Sequence, residues 1–511
     1  MSRIRGMRAH LASSIAVTCA AALALPLALS SNATATPSST PAATERRTTG
    51  TSTSGTSTAG GTTPGSTQSL PLTPLTHSTP RTPPSPPPSS SGDRTLPPPA
   101  LAPAQGLARR DVRHFSLVGV VWDNPDSELH GRVQVRTRAT GTTKWSAWQD
   151  VDTHNHEHAA DPDTAERASG RVRGSTAPLW VGDSDGVEVR VQGEADGRTG
   201  ADGRAVTAEP LPKGLHVELV DPGAEPPPQG PELNAPPPGA LTAESAAAAS
   251  AVNAELAPIG ATEIPALSQK ETRADLLETR GEETDQTGTT GTANATGTAV
   301  AGAANQRAKP YIGARPRIVT RRGWGADEGL RERNFSYTKT VKAVFVHHSA
   351  SGNNYRCAQA PSVIRSIYRY HVKSSGWRDI GYNFLVDKCG NIYEGRAGGV
   401  AKPVMGAHTL GFNSKSMGIA VLGSFGTANP PAAAVKAVAK LTAWKLGLYG
   451  ANPRGKTYLK SGGGNLYRKG KNVRLNVISG HRDGFATECP GGRLYAKLGK
   501  ARTTSARYQG R

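Results

Sequence analysis

Between residues 111 and 221 the chain alternates apolar and polar positions with a period of two. "GRVQVRTRA" sets Val133 and Val135 against Arg132, Gln134 and Arg136. "VEVRVQG" does the same with Val187, Val189 and Val191, and "LHVELVDPG" with Leu215, Val217 and Leu219. Period two predicts half-buried strands. The more continuously apolar "FSLVGVVW" and "APLWVG" predict deeper ones. Short strands parted by Gly and Asp turns predict an all-β, sandwich-like domain. From 311 to 505 the pattern is mixed. "VKAVFVHHSA", "SMGIAVLGSF" and "RLNVISGHRD" read as buried strands, and "GYNFLVDKCGNIYEGR" as two strands around a turn at Cys389-Gly390-Asn391. "APSVIRSIYRYHV" and "PAAAVKAVAKLTAWKLGLYG" carry helical spacing, the first with Pro361 near its start, the second with Gly447 or Gly450 as its stop. Strands interleaved with helices predict an α/β domain, a central mixed sheet flanked by helices.

The stretches between these regions lack any such pattern. Residues 36–110 are rich in Ser, Thr, Pro and Gly, as in "TSTSGTSTAGGTTPGSTQ". Residues 222–310 open on "GAEPPPQGPELNAPPPGA" and include one Ala-rich run near "LTAESAAAASAVNAEL", read as a short helix. Neither buries enough apolar surface to offset the entropy of ordering it. Both are expected to be disordered linkers, the first a partly polyproline II stalk. Residues 1–35 carry Arg3, Arg5 and Arg8, then "IAVTCAAALALPLAL", then a small-x-small site at Ala33-Thr34-Ala35. That is the form of a secretory signal peptide. No second apolar segment reaches spanning length, so a secreted or cell-wall-associated protein without a transmembrane anchor is expected.

Export changes how charge and cysteines are read. The net charge is +20, with blocks such as "RKGKNVR" near one end. Outside the cell the expected partners of such a surface are anionic wall polymers, not nucleic acid. Removal of Cys19 leaves Cys357, Cys389 and Cys489, an odd number. Cys489 follows His481 in "SGHRDGFATECPGG", and both His481 and the doublet His347-His348 stand at predicted strand ends. Imidazole and thiolate are donors that zinc favours, and three protein ligands leave a fourth place for water, the mark of a catalytic site. His154, His156 and His158 in "HNHEH" have no companion cluster in their polar stretch and are expected to form a solvated loop.

The segments "RRGWGADE", "VFVHHSAS", "WRDIGYNFLVDKCGNIYEGR", "GAHTLGFNSKSMGIAVLG" and "GHRDGFATECPGGRLY" occur in that order. Together, over about residues 315–500, they resemble the peptidoglycan recognition protein and type 2 N-acetylmuramoyl-L-alanine amidase family. The resemblance implies a zinc amidase that cuts peptidoglycan between the lactyl group of muramic acid and L-alanine. It implies His347, His481 and Cys489 as metal ligands, with His348 the competing member of its doublet. Tyr382 and Thr487 would be the polar groups beside the metal, Tyr382 acting as a donor to the oxyanion rather than as a base. His371, Arg396, His408 and Asn413 match positions that line the peptide groove. With Cys489 committed to zinc, Cys357 and Cys389 become the expected disulfide. A non-hydrolytic receptor is the alternative, but receptors of this family typically lose the cysteine ligand, which is present here.

Overall fold

The computed structural model describes residues 65–75, 104–194, 210–224, 261–285 and 311–511. The signal sequence, most of the stalk and the Ala-rich run lie outside the described residues. Among the described residues no helix is long and apolar enough to cross a membrane.

The first domain is an eight-stranded, all-antiparallel sheet: β1 (Ser66–Pro71), β2 (Thr73–Pro74), β3 (Ala104–Trp122), β4 (Gly131–Ala139), β5 (Gln149–Val151), β6 (Gly174–Ser175), β7 (Leu179–Gly193) and β8 (His216–Asp221). The alternating valines do what their period implies. Val133, Val135, Val187, Val189, Val191, Val217 and Leu219 are all buried in one core with Phe115 and Trp122. Two sequence expectations fail here. The domain does not begin at 111, because β3 starts at Ala104 and pairs from there with β7. Nor are residues 36–110 all stalk, because β1 pairs with β8 through Ser66–Pro71. An edge strand takes its backbone bonds from the neighbour it joins, so it needs little apolar pattern of its own.

The second domain is built on a mixed seven-stranded sheet. Its strands are β9 (Glu263–Ile264), β10 (Ile318–Val319), β11 (Ala343–His348), β12 (Phe384–Val386), β13 (Ile392–Glu394), β14 (Ser416–Val421) and β17 (Ile478–Gly480), in the spatial order β17-β11-β14-β12-β13-β10-β9. A separate hairpin pairs β15 (Lys456–Lys460) with β16 (Asn472–Asn476). The central strands β17, β11, β14 and β12 are parallel. Helix α1 (Gln269–Asp285) precedes this core, α2 (Ala360–Arg369) covers one face and α3 (Ala432–Leu448) the other; α4 (Gly492–Tyr495) and α5 (Leu498–Gln509) close the chain. Val344 and Val346 of β11 pack with Val438, Leu441 and Trp444 of α3. The opposite parity carries Phe345 and His347 to the other face.

The linker reading of 222–310 also needs correcting. Ile264 of β9 and Leu276 of α1 enter the same core as α3. The start of α1 was legible: Ser268 and Glu271 form a capping box, Glu271 N–H donating to Ser268 Oγ (3.2 Å) and Ser268 N–H to Glu271 Oε2 (2.7 Å).

The two domains share a core. Leu117, Val121, Trp180 and Val220 of the first pack with Val363, Ile364, Ile367 and Tyr370 of the second. Tyr370 is fully buried, and its hydroxyl reaches the Thr176 carbonyl (3.1 Å) and the Val120 carbonyl (3.3 Å). Ser374 Oγ donates to Glu218 Oε2 (2.9 Å), and Trp180 N–H to the Ser351 carbonyl (3.0 Å).

Candidate metal centre and its groove

β11 and β17 run parallel and end side by side, so their carboxyl ends deliver His347 and His481 to one place. The chain then turns through a 3-10 segment, His481–Asp483, and returns to bring Cys489 against the same point. The Arg482 N–H bond to the Cys489 carbonyl (3.0 Å) holds that return. His347 turns Nδ1 toward Cys489 Sγ at 3.7 Å and Nε2 toward His408 Nδ1 at 3.2 Å. His348 points away with the other strand parity, and its Nδ1 accepts from Phe425 N–H at 3.4 Å. The doublet is thereby resolved: the structure brings His347, not His348, to the cluster.

A fourth donor completes the cluster, and it comes from the first domain. His158 Nε2 lies 3.6 Å from Cys489 Sγ. The ligating atoms of His158, His347, His481 and Cys489 all fall within 4.8 Å of one another, and all four residues are buried. This overturns the expectation of a solvated loop for Glu157 and His158, which are buried, while His154 stays exposed as expected. The physical reason is non-local. The segment between β5 and β6 leaves its own sheet and lies in a groove of the other domain, where its polar atoms find partners that no local pattern announces.

The donor set fits zinc. One sulfur and three imidazoles are the ligands of tetrahedral zinc, whose bonds of about 2.3 Å to sulfur and about 2.1 Å to nitrogen give S···N edges of about 3.6 Å. The two S···N separations here are 3.6 and 3.7 Å. Both ring nitrogens of His481 are buried without a hydrogen-bond partner, as is His158 Nδ1. A buried imidazole nitrogen with nothing to bind is costly, and a cation at the cluster would remove that cost for one nitrogen of His481; His158 faces the cluster with Nε2, so its Nδ1 gains nothing from it. Burial, with neighbouring imidazoles adding to it, pushes His158, His347 and His481 well below the ordinary histidine range, so all three are neutral donors. Burial likewise pushes the Cys489 thiol up, so it must release its proton to bind a cation.

The remaining sequence candidates group around this point with different surroundings. The Tyr382 ring stands 5.5 Å from that of His347 and 5.9 Å from that of His158, and burial holds its hydroxyl protonated. Thr487 accepts Cys489 N–H at 3.1 Å and donates to Glu157 Oε1 at 2.7 Å. His371 stacks on Trp377 and accepts from Gly381 N–H (3.3 Å); burial, followed by the Arg396 charge, pushes it down to about 3. His408 is fully buried behind His347, bonded to it and to Thr409 Oγ1 (3.0 Å), so it orients a ligand rather than facing a groove. Cys357 and Cys389 form a disulfide, and Cys489 is the free thiol among the described residues.

Arg396 and Asn413, expected in the peptide groove, are both occupied by the chain itself. Arg396 makes a two-point bond to Glu166, each contact 2.8 Å. Asn413 Nδ2 donates to the Ala159 carbonyl (2.8 Å) and to Asp161 Oδ1 (2.7 Å). Sequence reasoning missed Glu157, His158, Asp161 and Glu166. The one signal for them was a run of three histidines in a chain whose other ligand set lacked a fourth member.

Comparison with known proteins gives the following. Residues 337–492 match the family described as N-acetylmuramoyl-L-alanine amidase, and residues 56–213 match one described as Rv3811 N-terminal galactose-binding domain-like. Peptidoglycan-recognition protein SC2 of Drosophila simulans is 31% identical over 183 residues, 35% of this chain and 84% of its own length. An N-acetylmuramoyl-L-alanine amidase of Homo sapiens is 36% identical over 143 residues, 27% of this chain and 23% of its own. Among solved structures, Drosophila PGRP-LB wild-type is 29% identical over 35% of this chain and 91% of that one, with a TM-score of 0.28.

Proposed function

The chain belongs, through residues 337–492, to the family of peptidoglycan recognition proteins and N-acetylmuramoyl-L-alanine amidases, and from that premise we propose that it is a secreted, zinc-dependent amidase acting on the bond between the muramic acid lactyl group and L-alanine. The observation that carries the reading is Cys489. A buried free thiol, 3.7 Å from His347 and in one cluster with the unpartnered nitrogens of His481, completes the His-His-Cys donor set that a zinc amidase needs.

His347, His481 and Cys489 would hold the metal, which when bound supplies a water of pKa about 7 and a Lewis acid for the amide carbonyl. The chain's own groups do the rest. His408 fixes the ring of His347 through its second nitrogen. Tyr382, held neutral by burial, donates a hydrogen bond to the carbonyl oxygen as it gains charge. Thr487, two residues before the cysteine, offers a second hydroxyl at the same point. Secretion rests on the signal-like first 35 residues. Fractionation of expressing cells tests it: protein confined to the cytosol would refute secretion, and an intact Met1 on exported protein would refute cleavage of the leader.

A second reading, binding without hydrolysis, draws on the fourth donor. A zinc with four protein ligands is the structural type. Cys489→Ser separates the two, because a serine hydroxyl stays protonated and binds zinc poorly. For an amidase, zinc content and release of stem peptide, read by mass spectrometry of digested peptidoglycan, fall together. A parent chain that holds zinc yet releases no stem peptide would end the amidase proposal in favour of the second reading, and a Cys489→Ser variant that keeps stoichiometric zinc would end the assignment of Cys489 as a ligand.

A further inference from the structure

The segment from Asn155 to Glu166 joins β5 to β6 of the first domain; Asn155 and His156 stay with Ser175 and Glu128 of that domain, but from Glu157 onward its acceptors are bonded to the second. Leu410 N–H donates to the Glu157 carbonyl (2.9 Å) and Gly411 N–H to Asp161 Oδ1 (2.8 Å). Thr487 takes Glu157, Asn413 takes Ala159 and Asp161, and Arg396 takes Glu166. At the rim, Lys469 Nζ meets Asp163 at 2.6 Å. Every partner on the second domain is a donor, and the segment answers with carbonyls and carboxylates. It has the chemistry of an acidic peptide laid in an extended groove.

We propose that residues 155–166 are an internal occupant of the amidase groove, that His158 closes the metal site as a fourth ligand, and that the described arrangement is a latent form which an acidic stem peptide must displace. The inference rests on the amidase reading of that site. Three observations carry it together. First, His158 lies where a catalytic metal keeps its place for water, 3.6 Å from Cys489 Sγ. Second, the Thr487 hydroxyl is spent on Glu157. Third, two residues matching the family's peptide groove, Arg396 and Asn413, hold Glu166 and Asp161. A substrate peptide needs the same atoms, so loop and substrate exclude each other.

The tether sets the terms of that competition. A segment fixed at both ends by its own sheet presents itself at an effective concentration on the order of 1 mM. A soluble stem-peptide fragment well below that concentration competes poorly. A polymeric wall, with many stem peptides held together, competes well. The apparent affinity for any fragment is reduced by the fraction of molecules in which the loop has left.

The test uses the full chain, the double variant Asp161→Ala/Glu166→Ala, and His158→Ala. Three properties are compared: alkylation of Cys489 by iodoacetamide in metal-free native protein, affinity for a muramyl tripeptide in the same metal-free protein, and amide cleavage after zinc loading. The parent should alkylate slowly and bind weakly. In the double variant both alkylation and affinity should rise about tenfold or more, and His158→Ala should raise the alkylation of its neighbour. Parent and variants agreeing within about twofold on alkylation and affinity would overturn the proposal. Variants that bind tighter while no protein cleaves would leave the loop inference standing and sink the amidase reading. Equal, fast cleavage by all three would do the reverse. Should the variants fold poorly, amide hydrogen exchange over residues 155–166 of the parent decides the matter. It should be slow in the free protein and accelerate on adding millimolar muramyl tripeptide. Exchange that does not respond to saturating fragment would refute displacement.

Discussion

Replacing Gly119 by alanine puts a methyl group where the ring of Tyr370 already is. Gly119 lies in β3, opposite Glu218 of β8, at the joint between the two domains. A Cβ built there meets Tyr370 Oη at 2.3 Å, Cζ at 2.5 Å and Cε2 at 2.6 Å. Ordinary contact begins about 1 Å further out. The ring cannot retreat, because Tyr370 is fully buried among Leu117, Val121 and Ile367. Overpacking of this kind costs about 1–3 kcal/mol. If the ring shifts, the Thr176 carbonyl loses its partner and stays buried, which costs about 1–3 kcal/mol more. Gly119→Ala should therefore destabilise the chain by about 2–6 kcal/mol in urea titration, read by tryptophan fluorescence. Gly426→Ala, where a Cβ meets nothing within 4 Å, is the control and should change stability by no more than about 0.5 kcal/mol. Shortening the ring in Tyr370→Leu should relieve the clash, so the double variant should be more stable than the sum of the singles by at least about 1 kcal/mol. A neutral Gly119→Ala, or strict additivity with Tyr370→Leu, would mean that the domains do not meet on this surface.

Two further outcomes follow from single groups. Burial pushes the Glu166 carboxyl up, but its bonds and charge pairing with Arg396, helped by the Arg378 N–H, more than reverse this and leave it below the ordinary range. A depressed carboxylate stabilises above its unfolded pKa of about 4.5 and loses that contribution as pH falls through the lower folded value. The stability gap between parent and Glu166→Gln should thus be widest near neutrality and close in acid below about pH 4.5; a gap independent of pH would refute the pairing. This difference isolates Glu166 from Glu157 and Asp161, which burial pushes up. The Cys357–Cys389 disulfide spans 32 residues, so the Cys357→Ala/Cys389→Ala variant should lose about 3–4 kcal/mol in the same titration, and no loss would show that the bridge closes nothing.

What the sequence could say depended on whether the determinant was local. The strands around Val133, Val189 and Val217 were legible because one buried face imposes period two on its own residues. His347, His481 and Cys489 were legible as a group because strand ends and a short return loop place them, and because the motif around them is long. The choice between His347 and His348 was not, since alternation says that the two part company but not which side faces the cluster. β1 was invisible because its backbone bonds come from β8. α1 announces only its start, through the capping box in "SQKE". The segment 155–166 was unreadable for a stronger reason: its partners, from Arg396 to Thr487, lie more than 200 residues away, and nothing in "HNHEH" itself distinguishes a docked loop from a wet one.

The joint and the loop also differ in what holds them. The joint is apolar: Leu117, Val121, Trp180 and Val220 against Ile364, Ile367 and Tyr370. Burial of that kind is favourable without any partner having to be exact in geometry. The loop is held mainly through polar groups, with only Ala159 and Ala160 buried as apolar residues. The Glu166–Arg396 pair gives back in attraction much of what both charges lose on leaving water. Glu157 and Asp161 are buried carboxyls pushed toward protonation, and His158 is an imidazole stripped of water. Each of these groups would be solvated if the segment withdrew. A domain fixed firmly by its core and a segment docked at nearly balanced cost can separate their fates. The first domain stays seated on α2 while residues 155–166 leave the groove, and the ligand that displaces them needs only to outbid polar contacts that water would also have satisfied.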